Sequence, residues 1–129
     1  MHVEQEKAQT FKILIVDDNP DNIDVLVNAL ENVGYNLAIA TSGEKALKTT
    51  THFLPDLILL DLMMPGMDGL AILQKLQANP KTQQIPIIIL TAKAQSHEQE
   101  YFGQLKVLSV IAKPYDPMTI SDQIFSVLA

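Results

Sequence analysis

The chain has no cysteine, which removes a disulfide framework, a thiolate nucleophile and any zinc site built on sulfur. That absence fits a reducing compartment. Cations are scarce too: nine Lys and Arg stand against fifteen Asp and Glu, leaving a net charge of −6. Counterion release from nucleic acid requires clustered basic side chains, and these nine are scattered along the sequence, so nucleic acid is not an expected partner. No apolar run approaches the roughly 18–20 residues that span a bilayer, and the opening MHVEQEKAQT is polar without the apolar centre of a signal peptide. No membrane partner is expected, and the cytoplasm is the expected compartment. Residues 1–10 read as a flexible N-terminal leader, followed by one domain over 11–129.

What is present is a hydrophobic fraction of 47% with 19% charged residues, the balance of a folded domain rather than a disordered chain. Five short apolar runs recur: Phe11 to Val16, Asn36 to Ala40, Leu57 to Leu60, Ile87 to Leu90 and Val107 to Ala112. Runs this continuous indicate strands covered on both faces, as in a parallel sheet. Segments with helical spacing lie between them. Ile23, Leu26, Val27, Leu30 and Val33 form one stripe, with Asn19 as N-cap, Pro20 at the first position and Gly34 as the stop. TSGEKAL reads as a capping box in which Thr41 and Glu44 reach across the first turn. Leu70, Leu73 and Leu76 predict a third helix ended by Asn79-Pro80, and a fourth, less regular, covers about 95–105. The last starts at Asp116 and Pro117 and carries Ile120, Ile124, Val127 and Leu128 on one side. Five β-α units with short connections predict a doubly wound parallel sheet with helices on both faces. In such sheets ligands sit at the carboxyl ends of the strands.

The residues that follow the apolar runs are Asp17 and Asp18, then Asp61, Thr91 and Lys113-Pro114. Adjacent acids at the end of a buried strand repel, and the expected remedy is a hard divalent cation held jointly by the carboxylates. Oxygen ligands without Cys or an aligned His favour Mg²⁺, with Mn²⁺ as a second choice, and Mg²⁺ readily takes a phosphate oxygen as well. Lys113 can neutralise that phosphate and Thr91 can donate to it. Asp61 is the best candidate to accept a phosphoryl group covalently, since it follows LILL directly and has no adjacent acid, whereas the Asp17–Asp18 pair suits the metal.

Taken together, ILIVDDNP, PDLILLDLMMPGMDG, PIIILTAKA and VIAKPYDP resemble the receiver domain of two-component response regulators over about residues 11 to 128. The resemblance implies a flavodoxin-like (βα)5 fold with strand order 2-1-3-4-5. It also implies phosphorylation of Asp61 by a histidine kinase or phosphotransfer protein. Asp18, Asp61 and the backbone carbonyl of Met63 would ligate Mg²⁺, with Asp17 acting mostly through water. Thr91 would be the switch hydroxyl and Lys113 the phosphate partner, with Pro114 following a cis peptide bond. The output would be contact with a downstream protein, by a monomer or a phosphorylation-dependent dimer. Such a domain is a switch rather than an enzyme, with at most self-phosphorylation and self-dephosphorylation.

Some residues depart from the family pattern or have blander readings. Val110 stands where receivers often carry Tyr or Phe, Lys106 where many have Gly, and Leu108 where many have a small residue. Tyr101, Phe102 and Tyr115 are the aromatics expected to supply part of the interaction face that Val110 lacks. Gly66 and Gly69 are expected to hold positive φ in a loop, Asp68 to cap the third helix, and Met63, Met64 and Met67 to pack. His2, His52 and His97 have no ligand spacing. The main rival function is a metal-dependent phosphohydrolase with Asp61 as nucleophile. Enzymes of the haloacid dehalogenase type place a general acid two residues on, and here that residue is Met63. A flavodoxin-like cofactor binder is disfavoured, because an acid-lined crevice repels phosphate unless a metal intervenes.

Overall fold

The computed structural model of the chain describes residues 11–61, 69–91, 107, 109–112 and 119–128. Five strands alternate with helices: β1 (Lys12–Val16), α1 (Pro20–Glu31), β2 (Asn36–Ala40), α2 (Gly43–Phe53), β3 (Leu57–Asp61), α3 (Gly69–Ala78), β4 (Ile87–Thr91), β5 (Ser109–Ala112) and α4 (Ile120–Leu128). All pairings are parallel, in the order β2-β1-β3-β4-β5. The flavodoxin-like order and doubly wound sheet are as the sequence predicts. The helix expected at about 95–105 and the leader at 1–10 lie outside the described residues.

Strand periodicity divides the core into two layers. Leu14, Val16, Ile58, Leu60, Ile87 and Ile89 point to one face with Ala46 of α2 and Ile72, Leu73 and Leu76 of α3. Ile13, Ile15, Leu57, Leu59, Ile88 and Leu90 point to the other, with Leu26 and Leu30 of α1 and Ile120 and Ile124 of α4. This explains the unbroken aliphatic runs: in the three central strands both alternating sets are buried. At the edge, β2 alternates less strictly and leaves Ile39 45% exposed.

Helix ends follow local chemistry. Asn19 caps α1, its side chain accepting from the amides of Asp21 (2.8 Å) and Asn22 (3.3 Å), with Pro20 next. Gly34, at φ +102°, closes the helix with Tyr35: their amides donate to the carbonyls of Glu31 (3.0 Å) and Leu30 (3.4 Å). The helix itself stops at Glu31, so Val33 leaves the predicted stripe and is 52% exposed. The cap of α2 also differs from expectation. Ser42, not Thr41, accepts the amide of Lys45 at 3.2 Å. Gly43, Ala46 and Thr50 of this helix face inward. Gly69 is likewise not a positive-φ loop residue; it opens α3 as a helical residue. The strands are trimmed relative to the apolar runs, since Phe11 precedes β1 and Val107 precedes β5.

Leu54, which caps the carboxyl end of α2, is the one described residue other than glycine with positive φ, at φ 51° and ψ 64°. Its side chain is 52% exposed, so little burial offsets the left-handed backbone. Leu54→Gly is therefore expected to stabilise the fold by about 0.5–1 kcal/mol after the greater unfolded-state entropy of Gly is subtracted. Thermal melts should show the midpoint rising by roughly 2–5 °C. A fall would mean that the Leu54 side chain contributes more than its exposure indicates.

Candidate metal and phosphoryl site

The register of the sheet builds the site. Val16 of β1 lies opposite Leu60 of β3, so the next residues, Asp17 and Asp61, stand level at the carboxyl edge of adjacent strands. The amide of Asp17 donates to the carbonyl of Ala40 at 3.1 Å, carrying the backbone of β1 one residue further before the chain turns. Its Oδ1 accepts the amide of Asn19 at 3.0 Å, which ties this carboxylate to the start of α1. Sequence alone identifies Asn19 only as a helix cap. Its backbone link to Asp17 is legible in the Asp-x-Asn-Pro spacing once an Asx turn is considered.

Asp17, Asp18 and Asp61 each offer a carboxylate oxygen such that all three atoms lie within 4.8 Å of one another. Asp17 is fully buried and Asp61 is 2% exposed, while Asp18 faces solvent. Two carboxylates at that separation repel by about 3–4 kcal/mol at an effective dielectric near 20. The donor set fits a hard divalent cation. Metal–oxygen bonds of about 2.1 Å put two ligands of one Mg²⁺ roughly 3 Å apart when adjacent and about 4.2 Å apart when opposite. Small side-chain rotations close the difference, and an exposed third acid leaves room for retained water. The cluster can hold a metal ion.

Thr91 ends β4 and is 2% exposed, one residue beyond Leu90, the register partner of Asp61. Its own partner is Ala112, the last residue of β5. Of the residues singled out from sequence, the fold thus unites Asp17, Asp18 and Asp61 and sets Thr91 at the adjoining strand end. Val110 lies on edge strand β5, opposite Ile89, and packs partly buried against the core layer beneath α2 and α3. Met63, Lys113, Pro114, Tyr101, Phe102 and Tyr115 lie outside the described residues, as do Gly66, Asp68, Lys106 and Leu108.

Comparison with known proteins gives the same picture. A family profile described as response regulator receiver domain matches residues 13–125. A probable cyclic di-GMP phosphodiesterase of Vibrio cholerae is 35% identical over 113 residues, covering 88% of this chain and 25% of that protein. The DNA-binding dual master transcriptional regulator RpaA of a Synechocystis species is 35% identical over 105 residues, covering 81% of this chain and 44% of that protein. The chain thus spans between a quarter and a half of the length of these curated relatives. The crystal structure of a putative response regulator from Chloroflexus aurantiacus superposes with a TM-score of 0.82 at 30% identity, over 92% of this chain and 97% of that one. Within the described residues no helix is long and apolar enough to cross a membrane. Parallel order, acids gathered at the strand tips and a family match running nearly end to end make one assignment: this chain belongs to the response regulator receiver domains.

Proposed function

We propose that the chain is a phosphoacceptor switch in which Asp61 takes a phosphoryl group from a histidine kinase or histidine phosphotransfer protein. The observation that carries this reading is the convergence of Asp17, Asp18 and Asp61 within 4.8 Å, two of them buried. Asp17, Asp18, Asp61 and the carbonyl of Met63 would hold Mg²⁺, or Mn²⁺ in its place. The ion supplies charge neutralisation for the carboxylates and for the incoming phosphoryl oxygens.

A carboxylate oxygen of Asp61 attacks phosphorus in line, and the new P–O bond forms as the P–N bond to the donor imidazole breaks, the imidazole taking its proton from solvent. Thr91 donates to one phosphoryl oxygen and Lys113 pairs with another, so the modified state draws the ends of β4 and β5 toward β3. That displacement biases a pre-existing equilibrium of the surface those strands support, with Val110, Tyr101, Phe102 and Tyr115 as its interaction face. A downstream protein reads that face, and the domain acts as a monomer or a phosphorylation-dependent dimer. DNA binding belongs to the name of a relative nearly twice as long. The net charge of −6 argues that this domain itself does not contact nucleic acid. The domain extends over 11–129, after a leader at 1–10, in the cytoplasm.

The test is exposure to acetyl phosphate with Mg²⁺, read by intact mass. The switch reading expects a gain of one phosphoryl group, absent when the metal is chelated. Many turnovers of a phosphate ester without a retained phosphoryl group would instead identify a phosphohydrolase.

A further inference from the structure

Lysines that are scattered in sequence are gathered by the fold. Of the five among the described residues, Lys45, Lys48, Lys75 and Lys81 all lie on α2, on α3 or in the turn after α3. Glu44 is the single acid on those segments, 43–53 and 69–86. By contrast, residues 17–31, which run from the acidic crevice along α1, carry Asp17, Asp18, Asp21, Asp24 and Glu31 and no lysine. Among the described residues, four of the five lysines thus lie on the face of the sheet covered by α2 and α3, and the acids of 17–31 run along the helix on the other face.

The α2–α3 side is grooved. Between α2 and α3 lies an open, largely apolar groove of about 450 Å³. Half-buried Leu47 contributes apolar surface above the buried Leu76, and Lys48 and Lys75 contribute one ammonium group from each helix. The two lining threonines use their hydroxyl protons within the fold. Thr51 donates to the carbonyl of Lys48 at 2.8 Å, and buried Thr82 donates to that of Leu76 at 2.6 Å. Lys48 and Lys75 are the groove's cations, beside the polar side chains of Glu44 and Asn79, and the Thr82 bond holds the end of α3 in place.

We propose that the α2–α3 groove is a docking surface for an acidic peptide segment of a partner protein, with an apolar side chain seated against Leu47 and its flanking carboxylates on Lys48 and Lys75. Charge complementarity selects this occupant. Nucleic acid fits less well: no aromatic side chain lines the groove to stack a base, and the chain has lysine but no arginine to pair with phosphate bidentately. The surface is independent of phosphoryl chemistry, so it can be tested in unmodified protein.

The experiment is an amide-shift titration of isotope-labelled protein with a blocked peptide carrying one leucine flanked on both sides by glutamates. Shifts are expected at Leu47, Lys48, Lys75 and Leu76. The paired substitution Lys48→Glu and Lys75→Glu should weaken binding roughly tenfold, as two attractions become repulsions. Lys48→Gln with Lys75→Gln should lie between. Both pairs are at exposed positions, and retained core shifts will show that they fold. The proposal is overturned if shifts fall elsewhere or are absent, if the charge-reversed protein binds equally well, or if a single-stranded oligonucleotide moves the same amides at lower concentration.

Discussion

Asp61→Asn is expected to lose all phosphoryl uptake from acetyl phosphate in the intact-mass assay while remaining folded. The substitution keeps side-chain shape but replaces a carboxylate oxygen with an amide, which is a poor nucleophile toward phosphorus at neutral pH. Asp18→Asn, which leaves the proposed acceptor intact, should instead slow uptake and raise the Mg²⁺ concentration it requires. The contrast between abolition and slowing separates acceptor from metal ligand. Unfolding is not the expected cause of either loss. Asp61 sits within 4.8 Å of two other carboxylates, and the isosteric amide keeps the shape of the side chain at that buried position. Circular dichroism should show Asp61→Asn folded at the assay temperature. Undiminished labelling of Asp61→Asn would assign the phosphoryl group to another residue and remove the basis of the proposed function.

Leu59→Ala is expected to give the largest stability loss. Leu59 is fully buried on β3, between Ile15 of β1 and Ile88 of β4, in the layer packed under α1 and α4. A strand bordered on both sides by other strands cannot shift to fill the void. The expected cost is about 3–4 kcal/mol, combining lost transfer energy with the residual cavity. For a domain of this length that lowers the melting midpoint by roughly 8–15 °C. Phe125→Ala is the matched control: it removes a larger side chain, but one that is 62% exposed, and should change stability by about 0.5 kcal/mol or less. Similar losses for the two would mean that Phe125 is covered by an intermolecular contact in solution.

Much of this architecture was legible in the residues. Ile13 to Val16, Leu57 to Leu60 and Ile87 to Leu90 could only be strands buried on two faces, and the Asn19-Pro20 and Gly34 punctuation fixed both ends of α1. Capping was less legible where two hydroxyl residues adjoin. Thr41 and Ser42 are both good caps, and residue type alone does not choose between them. Gly69 was misread for a related reason: glycine permits a turn, but it also permits a helix start. In the site, the convergence of Asp17, Asp18 and Asp61 followed from β1 and β3 being neighbours, which strand content alone does not dictate and the family resemblance supplied. The gathering of lysines on one face was invisible in sequence, because α2 and α3 become adjacent only through the crossovers.

The placement of Asp17 and Asp61 on adjacent strands has a thermodynamic corollary. They are neighbours across the sheet but separated by the whole segment from α1 to β3, so the unfolded chain must close that long loop before both can chelate one ion. An ion held by both would be captured far better by the folded chain, and by linkage the difference in binding free energy would add to resistance against unfolding. The pocket would then report the integrity of the domain: a molecule that has lost its sheet would also have lost the level pair of carboxylates that the proposed loading needs.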